Sequence, residues 1–224
     1  MIDKRSSPAL FDQIASTYDK VNRLLSLGLD KRWRRRLASS LPFNARSVLD
    51  LATGTGDQLI ANQKIACQAS HLGIDLSSEM IALAKKKAPH ASFQIGDIQK
   101  LPLRSSFFDA ATLSFGIRNV PSVALALSEI HRVLSSKGKL LILEFSLPPF
   151  PLKKPYLFFL RHLLPRVGSL FSSHPTAYRY LNQTIETFPY GDAFAKHLKE
   201  AGFSSIRYDY LALGAVCLYS AIKK

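Results

Sequence analysis

Val48-Leu49-Asp50-Leu51-Ala52-Thr53-Gly54-Thr55-Gly56-Asp57 decides the fold. An apolar run ends in two glycines one residue apart, and a helical pattern follows over residues 57–66. Glycine in such a turn admits positive φ and lets the backbone pass close to a ligand. Leu59 stands three residues after Gly56, where a dinucleotide turn needs a third small residue, and no Gly-Lys-Ser/Thr follows for a nucleoside triphosphate.

Outward from this turn the alternation repeats. Residues 71–75, 91–96 and 108–115 are predicted strands, with helices over 78–87, begun by a serine cap, and over 123–134. Gly138 is expected to turn the chain into Lys139-Leu140-Leu141-Ile142-Leu143-Glu144-Phe145. Such a nearly continuous apolar strand belongs at the centre of a parallel sheet covered on both faces. A helix over 190–201, ended at Gly202, precedes two strands near 204–210 and 215–222. Strands alternating with helices predict a doubly wound α/β sheet, whose ligands sit at the carboxyl ends of the strands where strand order reverses. Residues 10–40 and an aromatic- and proline-rich insert at 147–189 fall outside the alternation and are expected to cover those ends. With no repeat or low-complexity linker, one domain over 1–224 is expected, with 1–45 as its N-terminal helical cap.

The composition, 47% hydrophobic and 21% charged over 224 residues, is that of a globular chain. Cys67 and Cys217 form no Cys-x-x-Cys pair, so a disulfide scaffold or zinc ribbon is excluded and a cytoplasmic setting expected. The N-terminus lacks a secretory apolar stretch, and no uncharged apolar run reaches the roughly 18–20 residues of a membrane span. The net charge of +14 suits nucleic acid, anionic lipid headgroups or acidic substrates, or a merely lysine-rich surface; charge alone does not choose.

The acids after the first three strands are more specific. Asp75 closes the second strand, where a carboxylate accepts both hydroxyls of a ribose. Asp97 closes the third and is placed to accept the amine of adenine, with Ile98 offering its N–H and an apolar face. Asp50 ends the first strand, beside the place for a sulfonium or amino group. Singly, a Gly-x-Gly turn is often structural and a strand-ending Asp is often a helix cap. Jointly, Gly54, Gly56, Asp50, Asp75, Asp97 and Ile98 describe an adenosine site.

These residues resemble the S-adenosylmethionine-dependent methyltransferases of class I, with residues 48–57 similar to their first motif and Gly73-Ile74-Asp75-Leu76-Ser77-Ser78-Glu79-Met80 to their second. The resemblance implies a Rossmann-like α/β fold with a seven-stranded, mostly parallel sheet and helices on both faces. It narrows to the UbiE/MenG family of quinone-ring C-methyltransferases. Phe11-Asp12-Gln13-Ile14-Ala15-Ser16-Thr17-Tyr18-Asp19, Asn22, Leu25-Ser26-Leu27-Gly28 and Trp33-Arg34 resemble its opening signature. Ser114-Phe115-Gly116-Ile117-Arg118-Asn119-Val120 and Leu143-Glu144-Phe145-Ser146-Leu147-Pro148 are similar to its motifs after strands 4 and 5, and residues 164–170 and 178–181 to its insert. Thr53 stands where members often have glycine, and the first crossover is short. The resemblance implies Thr55, Asp75, Asp97, Ile98 and Ser114 as cofactor contacts.

The implied acceptor is a ring carbon of a prenylated hydroquinone. That carbon becomes nucleophilic when the adjacent phenol, of ordinary pKa about 10, loses its proton, so the reduced ring is the expected substrate. Arg118 and Asn119, just past strand 4, are placed to hold the developing phenolate, with Tyr18 bordering the pocket. The alternatives are an Arg118 paired with a surface carboxylate and a Tyr18 that only packs. Demethylmenaquinol is favoured, and the benzoquinol of ubiquinone synthesis is the alternative. No His-Glu-x-x-His or Gly-x-Ser-x-Gly motif occurs, and no metal is expected. Residues 156–164 set a broad apolar face beside Lys153, Lys154, Arg161 and Arg166, which suits a helix resting at the anionic inner face of a membrane; a core helix or homodimer contact is the competing reading. No nucleic-acid partner is expected, because Asn-Pro-Pro-Tyr and Pro-Cys motifs are absent near strand 4. Intact Gly54, Gly56 and Asp75 argue against a non-catalytic binding module.

Overall fold

A computed structural model of the chain describes Lys4, residues 7–163 and residues 175–224. Two helices, α1 (Ser7–Leu25) and α2 (Leu29–Ala38), precede the alternating part. Then follow β1 (Ser47–Leu51), α3 (Asp57–Ile65), β2 (Ser70–Asp75), α4 (Ser78–Lys87), β3 (Ser92–Ile95), β4 (Phe108–Ser114), α5 (Val123–Val133) and β5 (Leu134–Phe145). Within the insert lie α6 (Lys153–Phe158), a π-helical turn (Phe159–Leu163) and α7 (Pro175–Thr187); α8 (Asp192–Glu200), β6 (Phe203–Leu211) and β7 (Val216–Lys223) complete the described chain. Tyr178-Arg179-Tyr180-Leu181 falls in α7, whereas the motif at 164–170, with Arg166, lies outside the described residues.

The seven strands form one sheet in the order β3-β2-β1-β4-β5-β7-β6. Pairing is parallel from β3 through β5, and β7 runs antiparallel to both of its neighbours. Strand order therefore reverses between β1 and β4, which sets the carboxyl ends of those two strands at the ligand-binding crevice of the sheet.

The period of two along each strand divides the core between the faces. Leu49, Leu51, Ala111, Leu113, Leu140, Ile142 and Tyr219 pack with Ile130 and Val133 of α5 and Phe194 and Leu198 of α8. Val48, Ala110, Leu141, Leu143 and Leu218 pack with Leu37 of α2. Burying each such side chain contributes about 1.5–3 kcal/mol, so the doubly covered strands β1, β4 and β5 anchor the fold. The expected helix end and the turn at Gly138 differ from what is found. The strand starts at Leu134, because Leu134 pairs with Phe108 before the register shifts to Ala110 opposite Lys139.

A third cluster joins the two segments outside the alternation: Val21 of α1 packs with Leu147, Leu160 and Ile185 of the insert. Among the described residues, no helix is long and apolar enough to cross a membrane.

Candidate active site

Two neighbouring cavities lie at the carboxyl ends of the central strands. The first, about 600 Å³, is walled by Ala52 and Gly54 after β1, Asp75 and Ser77 after β2, Asp97 and Ile98 after β3, and Ser114 and Asn119 at and beyond the end of β4. At Gly54 φ is +56°, and a Cβ built there would project into open space with no atom within 4 Å. Gly54 donates its N–H to Asp75 Oδ2 at 2.8 Å, and Ser77 donates its own to Asp75 Oδ1 at 3.0 Å. These bonds hold the Asp75 carboxylate between turn and helix, while burial pushes its pKa up. Ser77 is the cap of α4, its hydroxyl accepting the Met80 N–H at 3.1 Å.

Five of the eight expected cofactor residues, Gly54, Asp75, Asp97, Ile98 and Ser114, line this cavity; Asp50, Thr55 and Gly56 do not. Asp50, 1% exposed, lies behind the turn, where its carboxylate accepts the hydroxyls of Thr53 at 2.5 Å and Thr112 at 2.6 Å. Burial raises its pKa to about 6 even against those two bonds. The network continues inward: Asn62 Nδ2 donates to Thr112, Gln58 Nε2 to Asn62 Oδ1, and Ser114 Oγ to Gln58 Oε1. Thr53, unexplained in the sequence, is thus a hydrogen-bond donor to a desolvated carboxylate, a role that glycine cannot fill. The Thr55 hydroxyl is turned away from the cavity and donates to Asp19 of α1 at 2.6 Å. Lys87 donates to Thr55, Asp19 and Asp57, and Ser77 donates to Asp12, so polar contacts help to fasten α1 beside the cavity.

The second cavity, about 140 Å³, is largely apolar. Its walls come from Phe11, Tyr18 and Val21 of α1, Trp33 and Arg34 of α2, Phe115 and Arg118 after β4, Phe145 of β5, and Tyr156, Phe159 and Leu160 of the insert. Phe11, Tyr18, Phe115 and Asn119 border both cavities. Phe115 sits there with φ +59°, a left-handed conformation costing about 1–3 kcal/mol for a non-glycine residue. The adjoining Gly116 lets the turn approach Ala52 after β1; a Cβ at Gly116 would come within 2.6 Å of the Ala52 Cβ.

Arg118 is 5% exposed, and its Nη1 donates to Glu144 Oε1 at 2.7 Å and to the Phe115 carbonyl at 2.6 Å. The carboxylate is therefore a buried one, not the surface group that the alternative reading of Arg118 supposed. Arg118 Nε and Asn119 Oδ1 are buried without a hydrogen-bond partner among the described residues. The Phe115 and Phe145 ring centroids are 4.6 Å apart, with the Arg34 guanidinium 5.3 Å from the first and that of Arg118 5.1 Å from the second. Each ring of the pair thus meets a cation, an attractive contact. Burial raises the Tyr18 phenol, and the charges of Arg34 and Arg118 draw it back down. Sequence reasoning missed Glu144, although a lone charge inside an apolar central strand signals a buried partner. It also gave Arg34 no role.

The fold and the cavity at its switch point define an S-adenosylmethionine-dependent methyltransferase. A crystal structure of such an enzyme from Thermotoga maritima shares the fold, with a TM-score of 0.69 at 17% identity over 96% of this chain and 99% of that one. The chain belongs to the ubiE/COQ5 methyltransferase family, whose sequence profile matches residues 2–223. It is 41% identical to a ubiquinone/menaquinone biosynthesis C-methyltransferase of Geobacter sp. (strain M21), across 96% of this chain and 95% of the relative. It is 39% identical to a demethylmenaquinone methyltransferase of Chlorobaculum parvum, across 96% and 91% respectively.

Proposed function

We propose that the chain methylates a ring carbon of a reduced, prenylated naphthoquinol, converting demethylmenaquinol to menaquinol. The observation that carries this reading is the wall shared by the two cavities: Tyr18, Phe115 and Asn119 border both the polar, glycine-turned one and the aromatic one. When bound, S-adenosylmethionine supplies an electrophilic methyl group on a sulfonium sulfur. The open space at Gly54, the Asp75 carboxylate and the apolar Ile98 fit its adenosine. Asp97 also lines that cavity, its carboxylate accepting the Gln99 N–H at 2.8 Å.

The chain's own residues then prepare the acceptor. Arg118, oriented by Glu144, stabilises the phenolate oxygen next to the carbon that attacks, and the Asn119 amide N–H donates to the same oxygen. Phe115, Phe145 and Trp33 line the chamber that takes the ring and give it an apolar wall. The ring carbon gains the methyl group as the carbon–sulfur bond breaks, and it then releases its own proton to solvent, which restores aromaticity.

Exposed Phe150, Leu152 and Phe158, beside exposed Lys153 and Lys154, supply a peripheral lipid contact from the cytoplasmic side. Of the insert's apolar face, Tyr156, Phe159 and Leu160 line the chamber instead, and Arg161 pairs with Glu186. A homodimer through this face is the competing arrangement.

Transfer of a labelled methyl group to reduced naphthoquinol and benzoquinol acceptors, with products identified by mass, tests the reading. Methylated naphthoquinol is the expected product. Label in the benzoquinol alone would move the assignment to the ubiquinone route, and label in neither would sink it.

A further inference from the structure

We propose that Arg34 is a second ring-oxygen anchor, binding the hydroquinone oxygen that is not next to the methylated carbon. The inference rests on the proposed quinol reading and adds a residue to it.

Arg34 lines the aromatic chamber from α2, its guanidinium 5.3 Å from the Phe115 ring, while that of Arg118 lies 5.1 Å from the Phe145 ring. Its Nε is buried without a hydrogen-bond partner among the described residues, as is that of Arg118. Among the described residues Arg118 has Glu144, whereas Arg34 forms no ion pair. Its buried Nε N–H is left unsatisfied unless a ligand supplies the acceptor. Two such donors lining one aromatic chamber suit a hydroquinone, which carries two oxygens. With Glu144 counted, the two guanidiniums leave one net positive charge, which matches the negative charge that the ring acquires on losing a proton.

The two oxygens then have separate duties. The one ortho to the reacting carbon, held by Arg118 and Asn119, makes that carbon nucleophilic. The other is meta to it, contributes little to nucleophilicity, and serves Arg34 as a handle that fixes which edge of the ring faces the methyl donor. An oxidised quinone carries no phenolic charge for either arginine, so the pair also selects the reduced ring.

Deletion on both sides tests this, using the prenylated naphthoquinol and its analogue lacking the hydroxyl meta to the methylated carbon. Wild-type protein is expected to lose on the order of 10–100-fold in kcat/KM on the analogue. Arg34→Met, which keeps the stem against Phe115, should lose as much on the full quinol and show no preference between the two acceptors. Arg34→Lys should recover part of it. Binding of S-adenosylhomocysteine by calorimetry is expected to be retained, which reports that each variant is folded. An Arg34→Met protein that still prefers the full quinol as wild type does would overturn the assignment. Wild-type protein that methylates no quinol would instead overturn the reading beneath it, and Arg34 with it.

Discussion

The two cavities share a wall but are built in opposite ways. The proposed cofactor side is largely local: most of its residues lie at or just past the end of a strand, and its turn is held by backbone N–H groups such as those of Gly54 and Ser77. The acceptor side is assembled from α1, α2, the turn after β4, the end of β5 and the insert, so its side chains meet only when distant segments pack. A local site can be read from spacing. A site built from distant segments can be read only from contacts, and it is the part free to vary while the cofactor side stays the same.

This contrast predicts separable defects. Replacing Arg118 by Ala should lower kcat by about 100- to 1,000-fold, the scale of losing one donor to a developing oxyanion. Calorimetric affinity for S-adenosylhomocysteine should stay at the wild-type level, with Arg118→Lys intermediate because Glu144 keeps a cationic partner. An equal loss of cofactor affinity in Arg118→Ala would erase the division between the sides.

Asp50 comes next in size. Its folded pKa, about 6, exceeds the value of an ordinary carboxyl because the site is desolvated. The stability it contributes is therefore fully present below about pH 4 and is lost as pH rises through 6. Asp50→Asn should lack that decline and gain on wild type by up to roughly 3 kcal/mol at pH 7. Urea denaturation at intervals from pH 4 to 7 measures this, and parallel curves for the two proteins would refute it.

The smallest effect belongs to Asp75→Ala. Without the carboxylate that joins the Gly54 turn to α4, the dissociation constant for S-adenosylhomocysteine should rise about 10- to 100-fold. At saturating methyl donor, KM for the quinol should be unchanged. A shift confined to the quinol KM would place Asp75 on the other side of the wall.

Much of the fold was legible because periodicity and turn chemistry are local. The strands around Asp50, Asp75 and Ser114, the serine cap of α4 and the final β6–β7 pair all follow from patterns within a few residues. The start of β5 at Leu134 was not legible, since it depends on pairing with Phe108. Five of the expected cofactor residues line one cavity because strand ends converge wherever order reverses. Thr55 resembled a ligand contact by its place between two glycines, yet its hydroxyl is committed to Asp19, thirty-six residues earlier.

The amino-acid sequence by itself determined the sheet class, the glycine turn and the acids at the strand ends, because each needs only residue type and short-range spacing. Tertiary structure alone decided that Thr53 serves Asp50, that Glu144 orients Arg118, and that Arg34 faces the same ring slot from another helix. The physical reason is range. Burial, which raises the Asp50 pKa and makes an unpaired guanidinium costly, is a property of what packs around a residue and not of its neighbours in the chain.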